Sequence, residues 1–349
     1  IKASPKGSIV SGPFGSNIGK RFFVDKGIPV IRGNNLTLGG KKFVDNGFVF
    51  ITPEKANELK NCIAIGGDIV FTAAGTLGQV GLIPENSHYP VYIISNKQLR
   101  LRCNSEIAYP EFLYYWFSQP KMREYIANQN TGASIPLITL GTLRNLPLLL
   151  PPLPTQRRIA EILSAYDELI EVNTRRMRIL EGMAQSVYRE WFGQVSAESL
   201  PEGWDVVNLA DVVDVNPTSI KNGNEPQEIN YVDIASVSTG QIDLIQPMQF
   251  SEAPGRARRI VQHGDVIWST VRPNRKSYSL IINPPKNMIV STGFAVLRAK
   301  NIPFSYLYQT TTTDDFADYL ANHATGSAYP AVNSSDFENA EIVLPPKEL

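Results

Sequence analysis

Three short segments of this 349-residue chain recur in the same order, and that recurrence limits the fold more than any single motif does. GDIVFTAAG, from Gly67, matches GDVIWSTVR, from Gly264, at an offset of 197. TGASIPLI, from Thr131, matches TGSAYPAV, from Thr325, at an offset of 194, and LPP at 150–152 matches LPP at 344–346 at the same offset. A drift of three residues needs only changes in loop length. Chance supplies one such match readily. Three in register indicate a duplicated unit of about 195 residues, too long for a solenoid repeat and suited to a domain with its connector.

Within each copy, short apolar runs broken by Gly, Pro and Asn read as strands. In the first copy these are GIPVIRGN, GFVFIT, CIAIGGDIVFTA, VGLI and YIISNKQLRLR; in the second they are INYVDIASV, GDVIWSTV, YSLIIN and FAVLRA. Each copy then carries a helical stretch, PEFLYYWFSQPKMREYIANQ or PFSYLYQTTTTDDFADYLANH, with Pro near the first turn and aromatics at helical spacing. The expected fold class is therefore α+β. The aromatics Phe112, Tyr115, Trp116, Tyr306, Tyr308, Phe316 and Tyr319 are expected in the cores rather than as platforms for bases.

Between the copies lies LPPLPTQRRIAEILSAYDELIEVNTRRMRILEGMAQSVYREWF, residues 150–192. Three prolines bar helix before it, Thr155 is the expected N-cap, and Gly193 is a natural stop. An apolar stripe runs through Ile159, Ile162, Leu163, Tyr166, Leu169, Ile170, Met177, Leu180, Met183, Val187 and Trp191 at spacings of 3 and 4. About 38 residues at 1.5 Å rise predict a rod of roughly 57 Å. Asn173 and the Arg175–Arg176 doublet interrupt the stripe, as polar residues do where they fix register and partner. The repeat places a covering helix after LPPKEL, where the chain stops at Leu349, and WDVVNLADVVDV at 204–215 has no counterpart before Ile1. On this reading the chain is a fragment or has trimmed ends.

Formal net charge is zero, but it is unevenly divided. Residues 1–150 hold 16 Lys and Arg against 9 Asp and Glu; residues 198–349 hold 11 against 18. The first copy could neutralise phosphates by bulk charge, whereas the second needs its basic residues gathered locally. Cys62 and Cys103 make neither a disulfide framework nor a zinc site, and His88, His263 and His323 are scattered. No run of 18 apolar residues predicts a membrane span, and the opening at Ile1 lacks signal-peptide order, so the expected compartment is the cytoplasm. NPPK at 283–286 lacks the aromatic fourth residue and the glycine-rich loop of an amino-methyltransferase and reads as a Pro turn. ELK at 58–60 has no paired acid of a nuclease, and neither a phosphate loop nor a nucleophile elbow occurs. Catalysis by this chain is not expected.

The 151–192 segment resembles the central conserved region of specificity (S) subunits of type I restriction-modification systems. The Pro-rich entry, the Gln156–Ala160 run and the terminal pair Trp191 and Phe192 carry the likeness. On the flanks, GPFGSNI, GIPVIRGNNL and TGASIP look like target-recognition-domain segments, and LPEGWDVVNLADVV looks like the opening of a second such domain. The likeness spans nearly the whole chain. It implies a non-catalytic DNA-reading subunit of a methyltransferase and restriction complex. Two target-recognition domains, residues 1–153 and 198–349, would read the halves of a split, asymmetric site, on a conserved spacer helix at 154–197. Methyltransferase (M) subunits carrying S-adenosylmethionine would dock on the spacer helices, and restriction (R) subunits using ATP and Mg could join. The chain itself would bind no cofactor.

Base reading needs Arg, Lys, Asn, Gln, Ser or Thr on exposed loops. The first copy offers Ser16, Asn17, Lys20 and Arg21, then Arg32, Asn34 and Asn35 at a strand end. The second offers Arg256, Arg258 and Arg259, then Arg272, Asn274, Arg275 and Lys276, a stretch that concentrates more than half of its basic residues. Thr131 with Ser134, and Thr325 with Ser327, sit in paired Gly loops able to approach a phosphate. The expected partner-binding residues are Ile159, Ile162, Tyr166, Leu169, Met177, Leu180, Met183, Val187 and Trp191. The alternative is a duplicated protein-interaction adaptor that dimerises through the central helix and does not bind DNA.

Overall fold

The computed structural model describes residues 7–38, 40–132, 134–193, 195, 200–221 and 223–346. The chain divides into two compact units, Ile1–Arg176 and Met177–Leu349. In the first, the strands are β1 (Ile9–Ser11), β2 (Ile28–Ile31), β3 (Val49–Ile51), β4 (Ile63–Ala64), β5 (Ile69–Thr72), β6 (Val80–Leu82), β7 (Tyr92–Ile94) and β8 (Gln98–Leu101). They form two four-stranded sheets, ordered β1-β8-β5-β6 and β3-β2-β7-β4.

The second unit contains β9 (Asp205–Asn208), β10 (Val213–Val215), β11 (Glu228–Val232), β12 (Val237–Ser238), β13 (Gln241–Ile242), β14 (Gln246–Gln249) and β15 (Ala257–Ile260). These are followed by β16 (Val266–Ser269), β17 (Tyr278–Leu280), β18 (Met288–Ser291), β19 (Phe294–Ala299) and β20 (Glu341–Leu344). Its four-stranded sheets run β10-β19-β16-β17 and β14-β11-β18-β15, alongside the β12-β13 and β20-β9 pairs. Strand for strand, both orders repeat those of the first unit. The one parallel pair in each set recurs at the same place, β2 with β7 and β11 with β18. The duplication read from three short matches is thus a duplication of topology.

The GD anchor shows why those residues recur. Gly67 and Gly264 take φ of +78° and +89°, a left-handed turn that a Cβ disfavours. The strands that follow alternate between two buried faces. Ile69 and Phe71 point into the helix-covered core and Val70 into the core between the sheets; Val266 and Trp268 do the former and Ile267 the latter. Asp68 accepts from the Ile65 N–H at 2.9 Å and from Arg102 at 2.7 and 2.6 Å; Asp265 accepts from the Gln262 N–H at 2.8 Å and from Arg298 at 2.8 and 2.7 Å. One carboxylate therefore closes the turn and clamps the neighbouring strand in each unit.

The helices of the first unit are α1 (Pro53–Glu58), α2 (Pro110–Ser118), α3 (Pro120–Asn128) and α4 (Leu140–Arg144). The central helix is α5 (Leu153–Phe192), and the second unit adds α6 (Leu209–Val212), α7 (Phe304–Thr311), α8 (Asp314–His323) and α9 (Ser334–Glu338). Each helical stretch expected from the aromatics is a pair, broken at Pro120 in one copy and capped afresh by Thr313 in the other. The singled-out aromatics belong to these cores: Phe112 and Phe316 are buried, and Tyr115, Trp116, Tyr308 and Tyr319 pack against them. Tyr306 joins a ring cluster with Tyr188 and Phe192.

Two expectations change. Helix α5 begins at Leu153, with the Pro152 carbonyl accepting from the N–H groups of Thr155 and Gln156 at 2.9 and 3.1 Å. Pro154 sits in the first turn, where its missing N–H costs nothing, so Thr155 is inside the helix and is not its cap. The GRARR segment, read as an exposed loop, enters β15, which pairs with β18 across a bulge. The run Ala257, Arg258, Arg259, Ile260 hid it, because two adjacent arginines at the bulge break the apolar–polar alternation of an ordinary half-buried strand. NPPK is a turn between β17 and β18, with Asn283 at φ +45°.

Candidate nucleic-acid interface

Helix α5 uses one set of residues to hold its own units and leaves another open. Gln156 is buried, accepts from the Tyr109 N–H at 2.8 Å and donates to the carbonyls of Ile107 at 2.9 Å and Pro151 at 2.8 Å. Ala160 is buried one turn on; Ser164 meets Lys42 and Glu111, which themselves form an ion pair. Asp167 accepts from the Tyr115 hydroxyl at 2.6 Å, and burial first, then that bond, push the tyrosine pKa up. In the second unit Glu181 accepts from Tyr308 at 2.8 Å, and Tyr188 bonds Thr310 at 3.0 Å. Phe192 lies among Tyr188, Tyr306 and Trp204.

Small and polar residues thus carry most of the docking, with Tyr188 and Phe192 as its aromatic end. All nine expected partner residues, Ile159, Ile162, Tyr166, Leu169, Met177, Leu180, Met183, Val187 and Trp191, are exposed. Apolar residues exposed on one helix over that length, interrupted at Asn173 and Arg175–Arg176, form a surface suited to being covered.

The Gly loops lie against the turn that follows the GD strand, in the same way in both units. Thr131 N–H donates to the Leu137 carbonyl and Thr325 N–H to that of Ala331, each at 2.9 Å. The Pro136 carbonyl accepts from the Gly75 N–H at 3.0 Å, and the Pro330 carbonyl from the Arg272 N–H at 2.7 Å. A Cβ on Gly132 would meet the Ile135 carbonyl at 2.0 Å, so only glycine closes that loop. Thr131, Ser134, Thr325 and Ser327 are exposed, with the Thr131 hydroxyl donating to the Leu137 carbonyl at 3.1 Å. Ala133 lies outside the described residues.

Beside the second Gly loop stands the stretch Arg272–Lys276. Arg272 and Lys276 take φ of +52° and +53°, the left-handed region that bulky residues avoid, and flank a short helical turn over Pro273–Arg275. The Arg272 guanidinium donates to the Ala328 carbonyl at 3.0 Å and lies 4.5 Å from the centroid of the Tyr329 ring. Lys276 pairs with Asp314 at 2.5 Å, and holds that carboxyl below its usual range. Asn274 and Arg275 are exposed.

The other basic candidates divide. Arg256 is spread over Asp233, at 2.9 and 2.6 Å, and the Tyr231 hydroxyl; Arg258 lies over the Phe250 ring. Arg259 has a buried Nε without a hydrogen-bond partner, and burial lowers its pKa. These three sit in or beside β15, in a different sheet from β16 and β17, whose connection carries Arg272–Lys276.

In the first unit Ser16, Asn17, Lys20 and Arg21 are exposed on two short helical turns, with Arg21 4.7 Å from the Phe22 centroid. Arg32 and Asn34 are exposed as well, Asn34 donating to the Gly47 carbonyl at 3.2 Å. Asn35 leaves the set. It is fully buried, and its amide donates to the carbonyls of Val44 and Asn46, both at 2.9 Å. A strand-end Asn can hold a loop as readily as it can read a base, and nothing in its sequence position separates the two.

Among the described residues no group of three His, Cys, Asp or Glu could hold a metal ion, and no helix is long and apolar enough to cross a membrane. Burial raises the pKa of both thiols, that of Cys103 to about 11.

A family model described as the type I restriction modification DNA specificity domain matches residues 19–181 and again residues 201–349. The chain belongs to that family. The specificity subunit of the MjaIX type I restriction enzyme of Methanocaldococcus jannaschii is 22% identical over 347 residues, covering 92% of this chain and 77% of its own. That of the HindI enzyme of Haemophilus influenzae is 30% identical over 146 residues, covering 40% of this chain and 31% of its own. The crystal structure of a type I S subunit from M. genitalium shares the fold, with a TM-score of 0.54 at 14% identity, covering 97% of this chain and 82% of that one.

The chain is thus a type I DNA specificity subunit, the non-catalytic member of its system, with two such domains joined by α5. Its signature helix motif is split by function: Gln156 and Ala160 anchor the specificity subunit's own fold, while Ile159 faces solvent. At the other end Phe192 packs inward and Trp191 outward. Sequence reading did not single out Tyr329, which is exposed under the Arg272 guanidinium. Its signal was an aromatic at the fifth position of TGSAYP, where the first copy has Ile135.

Proposed function

We propose that this specificity subunit reads a split, asymmetric duplex site. Residues 1–153 and 198–349 act as two target-recognition domains, and residues 154–197 as the spacer between them. Two units of one topology differ at equivalent loops: Thr76 is the exposed residue of the neutral Gly75–Gln79 segment, Asn274 and Arg275 are those of Arg272–Lys276. That single observation carries the asymmetry, since equal frames with unequal reading groups fit unequal half-sites. Arg275 and Asn274 suit guanine and adenine edges in the major groove. Ser16, Asn17, Lys20, Arg21, Arg32 and Asn34 serve the first half-site, and the exposed Thr131, Ser134, Thr325 and Ser327 hydroxyls serve phosphates.

The open stripe of α5 supports docking of methyltransferase subunits, together with a second spacer helix. S-adenosylmethionine then belongs to those subunits, and ATP and Mg to restriction subunits where these join. Single-molecule sequencing of DNA from cells expressing the gene with its methyltransferase partner, against cells lacking it, tests the reading. A split motif that gains methyladenine only with the gene supports it. An unchanged pattern with both proteins expressed contradicts it.

A further inference from the structure

We propose that Tyr329 is a specificity-determining residue of the second unit, packing its ring against the methyl group of one thymine in that unit's half-site, with Arg272 as the residue that positions it. The inference rests on the DNA-reading function above and concerns a side chain that function did not require. Tyr329 is 70% exposed at the tip of a loop whose backbone is fixed at both ends, by Thr325 to Ala331 and by Pro330 to Arg272. An exposed aromatic on a rigid tip presents apolar surface at little cost in side-chain ordering.

The Arg272 guanidinium covers one face of the ring at 4.5 Å and is itself tied to the Ala328 carbonyl at 3.0 Å. It is turned back onto the loop rather than outward, so it orients the ring more than it reaches for a phosphate. The backbone of Arg272 is left-handed in that arrangement. The first unit repeats the feature with different chemistry. Ile135 occupies the same position of the same stapled loop and is 57% exposed. Apolar character at the tip is kept while the neighbouring turn changes from neutral to basic. In a major groove, the apolar feature that distinguishes base pairs is the thymine methyl.

The test uses the full chain with its methyltransferase subunits and duplexes bearing the methylated site, each thymine of the second half-site replaced in turn by deoxyuridine. Wild type should lose about fourfold in affinity at one position, the worth of one buried methyl. Tyr329→Ala should bind more weakly and show no further loss at that position, while Tyr329→Phe, which keeps the ring over Arg272, should behave as wild type. Equal losses in wild type and Tyr329→Ala at every thymine, or no loss anywhere, overturn the assignment of Tyr329 alone. Failure of wild type to prefer its site over a scrambled duplex removes the DNA-reading function and this inference with it.

Discussion

Replacing Asp68 with alanine should damage the first unit more than replacing Asp265 damages the second, although the two carboxylates occupy equivalent turns. Both are 1% exposed and both accept two guanidinium bonds and one backbone N–H. They differ in what is left behind. Arg102 is half-exposed, but Arg100, whose Nη1 lies 3.8 Å from Asp68, is 4% exposed, with Nε and Nη1 lacking hydrogen bonds. Asp68→Ala therefore strands a sealed cation, and breaking a buried pair in this way costs about 3–5 kcal/mol.

Arg298 is 20% exposed and reaches the Thr218 hydroxyl at 3.4 Å, so water can take over part of its solvation after Asp265→Ala. Its loss should be nearer about 1–3 kcal/mol. In urea, the Asp68 variant should move its unit's unfolding midpoint down by roughly 2 M. A unit-specific probe is to hand in Trp268, buried in the second core, and Trp116, beside the first. A loss at Asp265 equal to or larger than that at Asp68, or a loss at Asp68 below about 1 kcal/mol, refutes the argument that the stranded Arg100 sets the difference.

Other predictions follow from the same geometry. Gln156→Ala removes three hydrogen bonds at a fully buried site and should cost about 1–3 kcal/mol in chemical denaturation, whereas Arg158→Ala, exposed two residues on, should be near neutral. The double change Leu169→Asp and Leu180→Asp should cost the isolated chain only about 1 kcal/mol, the loss of helix propensity at two exposed positions, yet abolish co-purification with the methyltransferase subunits. Arg275→Ala should relax the second half-site of the methylation motif and leave the first intact, read by sequencing.

Much of the architecture was legible because it is written in periodicity. The GD turn and its alternating strand reveal both the repeat and its two buried faces, and the 3–4 spacing from Ile159 to Trp191 defines α5. What stayed hidden was the difference between residues of one type. Asn34 and Asn35 are neighbours, yet one is exposed and the other buried under the Val44 and Asn46 carbonyls of the segment that follows. Arg256, Arg258 and Arg259 read as a basic loop, although Arg256 pairs with Asp233, Arg258 lies over Phe250, and Arg258 and Arg259 belong to the strand β15. Which face of α5 holds its own units was hidden for a related reason. That face is made of Gln156, Ala160, Ser164 and Asp167, polar or small residues whose partners come from elsewhere in the chain.

The most direct test of the two-reader account is to exchange residues 201–349 for the matching domain of another type I specificity subunit and to sequence the methylation motif of the resulting complex. The account predicts a motif whose second half is that of the donor while the first half is unchanged. A motif altered in both halves, or in neither, with the exchanged chain folded and bound to its methyltransferase, would contradict it.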